Sequence, residues 1–256
     1  YSRCFIADKA DLEMNLPTLL ANRVSSYRIF KWNDCSKAGL ASDTRNESNA
    51  ALNTQACYDW GTGPDMGIDR ETIANHIYED YPSSAACGKQ EYSPMMKTNN
   101  EPGNSADDRP QSVETVLANW ENLMATGKRL CSPTSHDGSL GWLREFIDSI
   151  DARGWRCDIM DVHCYWPESK FNELASWYSN YGNRPLWISE WVWGASWNKN
   201  GVFTQGWDDS YRVSQNAVVV KRILDKLNSW GYVERYFYWN SEQWYSKIYN
   251  DGALTP

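Results

Sequence analysis

The 256-residue sequence has no long apolar run, since its longest runs hold four residues, as in Ala217 to Val220 and Tyr236 to Trp239. A membrane-spanning helix needs about 20 apolar residues, so no membrane span is expected. Basic residues never stand more than two together, and Lys+Arg 25 against Asp+Glu 33 give a net charge of -8. Phosphate binding requires concentrated positive charge, so the composition argues against nucleic acid as a partner.

Histidine and paired cysteines are also scarce. There are only three histidines, and the seven cysteines include no CxxC pair, so neither a metal nor a cofactor is expected. Cys157 and Cys164 fall in one predicted strand at roughly 23 Å from each other, too far apart to form a disulfide. Because the number of cysteines is odd, at least one thiol is free in a monomer. A monomer is the expected oligomeric state.

Aromatic residues, in contrast, are abundant: there are 15 Trp and 15 Tyr, and 11 of the Trp follow residue 150. Large side chains can fill a core, but flat rings also stack on sugars. Trp191, Trp193 and Trp197 lie in a Gly/Asn/Ser-rich segment typical of a loop, so we expect them to contact a ligand or form a site wall. Three tryptophans in helical patterns are expected to pack instead: Trp142, Trp177 and Trp230.

The second half of the sequence repeats a helix–turn–strand unit. Helical periodicity begins at Val113, at Leu140 and at Tyr211, and a fourth helical segment is expected to be capped by Ser169. The strands that alternate with these helices are predicted at Lys128 to Thr134, Cys157 to Tyr165, Pro185 to Glu190 and Val233 to Trp239. Alternation with short connections indicates parallel strands with helices outside.

The first half has room for four more strands. The first is either Lys37 to Ser42 or Tyr27 to Trp32, and the others are predicted at Gln55 to Trp60, Asn75 to Tyr81 and Tyr92 to Glu101. Eight strands in a chain of this length predict an α/β fold, a compact (β/α)8 TIM barrel over residues 31–256. Residues 1–30 are then an N-terminal extension. Few residues follow Trp239, so the last helix of the barrel is expected to be incomplete.

Two carboxylates fall at predicted strand ends. Asn100-Glu101 ends the fourth strand and Glu190 ends the seventh, and barrel active sites lie at the carboxyl ends of the strands. Two carboxylates across a barrel mouth are what glycoside hydrolysis requires, one as acid and one as nucleophile or base. We expect their carboxyl groups to lie about 5–5.5 Å apart, the retaining geometry.

Strand alternation adds two expectations. Leu186 and Ile188 share a face with Glu190, so we expect them to fill the barrel beneath that carboxylate. On the sixth strand Tyr165 falls at the rim, where its hydroxyl can keep a nucleophile ionised and aimed. His163 shares that face, either as a buried structural histidine or as a substrate contact.

Six short motifs in the same order resemble glycoside hydrolase family 128 of clan A, endo-β-1,3-glucanases on a compact barrel. They are Lys37 to Ala41, Tyr58-Asp59-Trp60, Asn100-Glu101-Pro102, Cys131-Ser132-Pro133, Asp161 to Tyr165 and Pro185 to Glu190. Two depart from the family pattern: Tyr58-Asp59-Trp60 has an aspartate in place of asparagine, and Asn99 stands where the family has phenylalanine.

The resemblance implies site roles. Glu101 would be the acid/base and Glu190 the nucleophile, Asn100 would bind the sugar 2-hydroxyl, and Trp239 would form an aromatic floor. The remaining expected substrate contacts are His163, Tyr165, Trp60, Trp166, Trp191, Trp193 and Trp197.

The resulting expectation is a secreted, endo-acting retaining hydrolase of laminarin-type β-1,3-glucan, located outside the cell, in the periplasm or at the cell surface. Two alternatives remain open. The same machinery could act on another neutral polymer such as mannan, xylan or an algal galactan, or the barrel could bind carbohydrate without turnover.

Overall fold

The structure is a computed structural model that describes residues 37–41, 51–52, 54, 56–61, 71–75, 95–106, 110–136, 140–193, 195, 206–239, 245–250 and 252–255. The N-terminal extension and the alternative first strand at Tyr27 to Trp32 lie outside these residues. The expected first strand at Lys37 to Ser42 is present as Ala38–Ala41.

Strands and helices alternate along the described chain. The strands are β1 (Ala38–Ala41), β2 (Ala56–Tyr58), β3 (Glu71–Thr72), β4 (Ala74–Asn75), β5 (Met95–Lys97), β6 (Arg129–Leu130), β7 (Met160–Cys164), β8 (Leu186–Trp191), β9 (Val233–Trp239), β10 (Tyr249–Asn250) and β11 (Ala253–Leu254). The helices are α1 (Val113–Ala125), α2 (Leu140–Arg153), a 3-10 helix (Glu168–Glu173), α3 (Leu174–Asn180) and α4 (Asp209–Ser229).

The strands β1 to β9 form a ring of parallel pairs. Strand β1 pairs with β2 and β9, and β8 pairs with β9 and β7. On the other side β2 pairs with β3, β4 with β5, and β5 with β6. Strands β3 and β4, separated only by Ile73, serve as one barrel strand, and two bridges, Cys131 to Ile159 and Ser135 to Val162, connect the β6 segment to β7. The predicted (β/α)8 architecture is therefore confirmed.

Apolar side chains pack on both faces of this ring. Outward-facing strand residues such as Leu40, Met96 and Val162 pack with the helices in a large outer core. An inner cluster contains strand residues and no residue of a described helix: Ala41, Ala56, Tyr58, Ile73, Met95, Cys131, Ile159, Trp187 and Phe237. Gly39 faces the interior, where an added Cβ would lie 2.4 Å from the Phe237 ring.

Ion pairs lie at the end of the ring where the strands begin. Arg129, the first residue of β6, donates to both carboxylate oxygens of Glu234 at 2.8 and 3.0 Å. Arg235 pairs with Glu71 at 2.5 Å. The inner apolar cluster thus separates these charges from the opposite end, where parallel strands bring their carboxyl ends together.

The expectation that Leu186 and Ile188 fill the barrel beneath Glu190 is wrong. Both side chains belong to the outer core, while Trp187 belongs to the inner cluster. The register explains why: Val162 and His163 of β7 pair with Ile188 and Glu190, so β8 carries one extra residue, Ser189. This bulge changes the alternation and lets Glu190 turn inward although Ile188 points outward.

The expected third strand, Asn75 to Tyr81, lies outside the described residues except for Asn75. The described residues 71–75 form β3 and β4, where β-branched Thr72 and Ile73 favour a strand. Ser169 does not cap a helix, since a 3-10 turn begins after Pro167 and passes through it. Beyond Trp239, β10 and β11 form an antiparallel hairpin, and the described residues 245–250 and 252–255 include no helix.

The other helices begin as the sequence predicts. The Ser112 hydroxyl accepts a hydrogen bond from the Thr115 amide at 3.2 Å, and Asp208 accepts one from the Tyr211 amide at 2.9 Å. Cys157 precedes β7 rather than lying in it, whereas Cys164 is the last residue of that strand. No helix in the described segments combines the length and apolarity needed to cross a membrane.

Candidate active site

Glu190 receives hydrogen bonds from three sides. It is the penultimate residue of β8 and only 6% exposed. Its Oε1 accepts from the Trp60 indole at 2.7 Å and from the Tyr58 hydroxyl at 3.2 Å, and its Oε2 accepts from the Tyr165 hydroxyl. Donors to a carboxylate favour its ionised form and fix its direction.

Glu101 lies in a turn four residues beyond the end of β5, not on the strand as predicted. Its Oε1 is 2.5 Å from His163 Nδ1, and its Oε2 accepts from the Asn104 side-chain amide at 2.7 Å. The backbone of the same turn is closed by a bond from the Asn104 amide to the Glu101 carbonyl at 2.8 Å. The turn therefore holds this carboxylate against β7.

His163 lies between the two carboxylates. Its Nδ1 faces Glu101, and its Nε2 is 3.4 Å from Glu190 Oε1. The imidazole is 1% exposed, so both contacts are shielded from solvent. One buried imidazole with a carboxylate at each nitrogen can hold and move a proton between three titratable groups.

The charges of this trio shift their pKa values. Burial alone would raise the pKa of Glu101, but the His163 charge and the hydrogen bonds from His163 and Asn104 lower it to about 2. Burial opposes a charged His163, yet the carboxylates of Glu190 and Glu101 raise its pKa above the ordinary value. Burial and the neighbouring Glu190 charge raise the pKa of Tyr165, so its hydroxyl keeps its proton and donates.

Backbone strain is concentrated at the same place. Three non-glycine residues of the described chain have positive φ, and two of them, Trp60 at 64° and Glu101 at 38°, belong to this site. A bulky residue in the left-handed region is unusual and is found where surrounding contacts hold it for a purpose. Trp60 gains the indole bond to Glu190 in this conformation.

The family model described as the catalytic core of glycosyl hydrolases matches residues 31–256. The chain belongs to this glycosyl hydrolase family. A comparison with curated proteins gives no match.

Solved structures with the same fold are members of glycoside hydrolase family 128, so the resemblance to that family is confirmed. A subgroup I endo-β-1,3-glucanase from Amycolatopsis mediterranei, in complex with laminarihexaose, has a TM-score of 0.70 at 24% identity over 86% of this chain and 95% of that one. A subgroup VI exo-β-1,3-glucanase from Aureobasidium namibiae has a TM-score of 0.66 at 14% identity, over 86% and 93%. A subgroup VII oligosaccharide-binding protein from Trichoderma gamsii has a TM-score of 0.65 at 20% identity, over 89% and 94%.

The structure brings most of the sequence-predicted site residues of this glycosyl hydrolase together. Glu101, Glu190, His163, Tyr165 and Trp60 are joined by the contacts above. Asn100 precedes Glu101 and is half-buried. Trp239, at the end of β9, is half-buried and meets the Tyr165 ring edge-on with centroids 5.4 Å apart.

Three other predicted contacts do not line the site. Trp166, Trp191 and Trp193 are 4%, 0% and 9% exposed and pack in the outer core with the helices. Trp191 lies within β8, next to the bulge, rather than in a loop, which is why its indole points away from Glu190. Trp197 lies outside the described residues. The tryptophans expected to pack in helices do so: Trp142 stacks on Phe146, Trp177 is buried and Trp230 stacks on Tyr232.

Two site residues were missing from the sequence prediction. Tyr58 shares a strand face with Trp60, so alternation alone could have found it. Asn104 left no such signal, because the turn after Glu101 has no repeat. Within the described residues, no group of three or more His, Cys, Asp and Glu side chains is arranged to hold a metal ion.

Proposed function

We propose that this chain is a retaining endo-β-1,3-glucanase with Glu190 as nucleophile and Glu101 as acid/base. The observation that carries the proposal is the placement of both carboxylates against opposite nitrogens of the His163 imidazole. A nucleophile must be aimed at the anomeric carbon, and the three donors on Glu190 fix the direction of its carboxylate. The retaining arrangement requires carboxyl groups about 5–5.5 Å apart, and this separation stays a prediction for Glu101 and Glu190.

The acid must supply a proton although the pKa of Glu101 is about 2 in the free protein. We infer that the proton rests on His163 Nδ1 and passes to Glu101 across the 2.5 Å contact when the leaving oxygen accepts it. The Glu190 charge raises the pKa of His163, and Glu190 loses that charge as it bonds to the sugar. His163 then becomes a stronger acid at the moment the leaving group needs its proton. In the second step Glu101 takes a proton from water, which attacks the glycosyl ester.

β-1,3-Glucan is the proposed substrate for two reasons. Solved relatives with this fold bind laminarioligosaccharides. The half-buried indole of Trp60 donates to Glu190 and that of Trp239 meets the Tyr165 ring, so both can serve as stacking surfaces for a neutral sugar. The expected wall of loop tryptophans is reduced by the burial of Trp191 and Trp193. Because the substrate is a polymer, we also propose a location outside the cell or at its surface.

The test is an incubation of the protein with laminarin, xylan, mannan and agarose, followed by reducing-sugar assay, product sizing and NMR of the first-formed anomer. We expect short oligosaccharides from laminarin with β configuration retained. Glu190→Gln should lose nearly all turnover yet keep laminarihexaose binding, because shape is kept and the nucleophile is lost. Glu173→Gln, an exposed exchange of the same type, should behave as the original protein.

Three outcomes would contradict parts of the proposal. Activity on another polymer with none on laminarin would refute the specificity, and an inverted product would refute the nucleophile role. Binding of laminarihexaose without hydrolysis of any polymer would favour the second candidate, a binding barrel, which the likeness to the Trichoderma gamsii protein supports.

A further inference from the structure

A buried ion pair lies inside the barrel, below the two carboxylates. Lys97 ends β5 and Asp161 is the second residue of β7, and their side chains form a salt bridge with both at 0% exposure. The Thr134 hydroxyl donates to the same carboxylate oxygen at 3.0 Å and lies 3.4 Å from the ammonium. Asp161 is two residues before His163 on the same face of the strand, so the pair lies one layer beneath the site.

Stability alone is a poor reason for this pair. Removing two charges from water carries a desolvation penalty that their attraction seldom exceeds, and apolar residues of similar size often replace such pairs without loss. The hydrophobic inner cluster lies next to it, and the buried charge of Arg235 lies at the opposite end of the ring. An ionic contact at this one level therefore suggests a task that apolar side chains cannot perform.

The ammonium of Lys97 also contacts the candidate site through Tyr58. It lies 4.8 Å from the centroid of the Tyr58 ring, within the range of a cation–π interaction. The hydroxyl of that ring donates to the Ser189 carbonyl at 2.7 Å and to Glu190 Oε1 at 3.2 Å. Ser189 is the extra residue of the β8 bulge, so Tyr58 contacts both the bulge and the carboxylate that the bulge turns inward.

We propose that Lys97 and Asp161 are positioning residues that hold Tyr58, and through it Glu190, in place; this rests on the proposed role of Glu190 as nucleophile. Asp161 fixes the ammonium beneath the ring, and the ammonium fixes the ring plane. The Tyr58 hydroxyl is then already in position to donate to Glu190 Oε1. The Lys97 charge also lowers the pKa of His163 against the two carboxylates that raise it, which supports a link between this layer and the trio above it.

The test uses Lys97→Met, Asp161→Asn and the double variant, which is neutral at both positions. Each single variant leaves one buried charge without its partner, so we expect Tm to fall by roughly 10 °C. The double variant should recover much of that loss. It should nevertheless show kcat on laminarin at least about tenfold lower, with KM within about twofold of the original value.

The matched control is Arg129→Met with Glu234→Gln, which neutralises the ion pair at the opposite end of the ring. It should leave kcat unchanged, because Glu234 is linked to the Tyr58 ring through Trp187 and Phe237 and not to the hydroxyl that donates to Glu190. A purely structural role for Lys97 and Asp161 predicts the opposite of the main result: kcat would recover together with Tm in the double variant, and the proposal would be overturned.

Tyr58→Phe tests the same chain of contacts with the ion pair left intact, so it also serves if the double variant does not fold. We expect its kcat to fall at least about tenfold with little change in Tm, and the neutral pair added to it should cause no further loss. Full activity of Tyr58→Phe would refute the proposal.

If the original protein cleaves no β-1,3-glucan, the proposed function fails, and a crystal structure of the double variant decides the positioning role. A Tyr58 hydroxyl still bonded to Glu190 refutes it, and a displaced one supports it.

Discussion

Tyr165 directly follows the last residue of β7, and its hydroxyl donates a hydrogen bond to the carboxylate of Glu190. Burial and the Glu190 charge raise the pKa of Tyr165, so this phenol stays protonated and donates at pH values where a free tyrosine would begin to ionise. The Tyr165 ring is also held edge-on against Trp239, so the donor cannot swing away. Its contribution to the reaction can be isolated by removing one oxygen atom.

Tyr165→Phe should lower kcat about 10- to 100-fold with little change in KM, since a hydrogen bond to a charged group contributes about 1.5–3 kcal/mol. Steady-state kinetics on laminarin measure this. Tyr211→Phe removes the hydroxyl of an exposed tyrosine on α4 and should change nothing. Equal kinetics for Tyr165→Phe and the original protein would show that the hydroxyl does not act on the nucleophile.

His163 should govern the alkaline side of the pH profile. Its folded pKa lies above the ordinary value of 6.5, so the stability it adds is present below pH 6.5 and is lost as pH rises through the folded value. The acid proton is lost in the same range. Glu101 behaves in the opposite sense: its stability is present above its ordinary value of 4.5 and is lost as pH falls toward about 2.

In His163→Gln the charge and hydrogen bond of His163 no longer lower the pKa of Glu101, and only weaker contacts such as the Asn104 hydrogen bond still oppose burial. The pKa of Glu101 therefore rises, and Glu101 must hold the acid proton itself. We expect the alkaline decline of kcat/KM to move to lower pH than in the original protein. Profiles from about pH 4 to about pH 9 measure it. If the alkaline decline of kcat/KM stays at the same pH in the variant, His163 does not carry the acid proton.

At this scale the sequence predicted the residues on regular strands better than those in turns. Tyr165 was identifiable because it follows His163 at the spacing of a strand face. Asn104 was not, because its contact with Glu101 depends on a tight turn that no periodicity announces.

The strands of this barrel place side chains through small departures from regularity. Gly39 on β1 is one of them, because Phe237 on the paired strand β9 occupies the space where a side chain would lie. The inner ring is closely packed at this level, so added volume must displace the phenylalanine or the strand.

Gly39→Ala should therefore lower the free energy of unfolding by about 1–3 kcal/mol through overpacking. Gly141→Ala is the matched control: it lies in α2 with no atom within 4 Å of an added Cβ, so alanine should stabilise the helix by up to about 1 kcal/mol. Denaturant unfolding of both variants measures the difference. Equal stability of Gly39→Ala and the original protein would show that the packing between β1 and β9 leaves room for a methyl group.

Element prediction succeeded where helices and strands alternate at regular intervals, as in the four units after Val113. It failed in detail where strands hold two or three residues, as with β3 and β4, because such segments are too short for a period to be read. The extra residue at Ser189 could not be predicted either, since a bulge looks like ordinary alternation in one-dimensional sequence.

The whole molecule carries a net charge of -8. Binding of a neutral glucan by stacking and hydroxyl hydrogen bonds makes no use of this charge, whereas an anionic polymer would be repelled by it. The eight-strand ring itself was predictable, because length and the number of strand segments suggest this architecture. The fate of the tryptophans was not, because an indole in a polar segment can as easily fill the outer core.

KM for laminarin should change less than about twofold between low salt and about 0.5 M NaCl, since screening removes only charge interactions. The neutral oligosaccharide laminarihexaose serves as a second substrate in the same series. A KM that rises steeply with salt would indicate that charge pairing contributes to binding, against the proposed mode.

The left-handed backbone at Trp60 and Glu101 has an evolutionary consequence. Such a conformation costs about 1–2 kcal/mol at each non-glycine residue, and under the proposed function selection for turnover would retain it. A descendant that kept sugar binding but no longer needed hydrolysis would be free to exchange these two residues for glycine or asparagine, and each exchange would make its fold more stable. Loss of catalysis is therefore expected to stabilise the fold, and a later return of catalysis is expected to destabilise it.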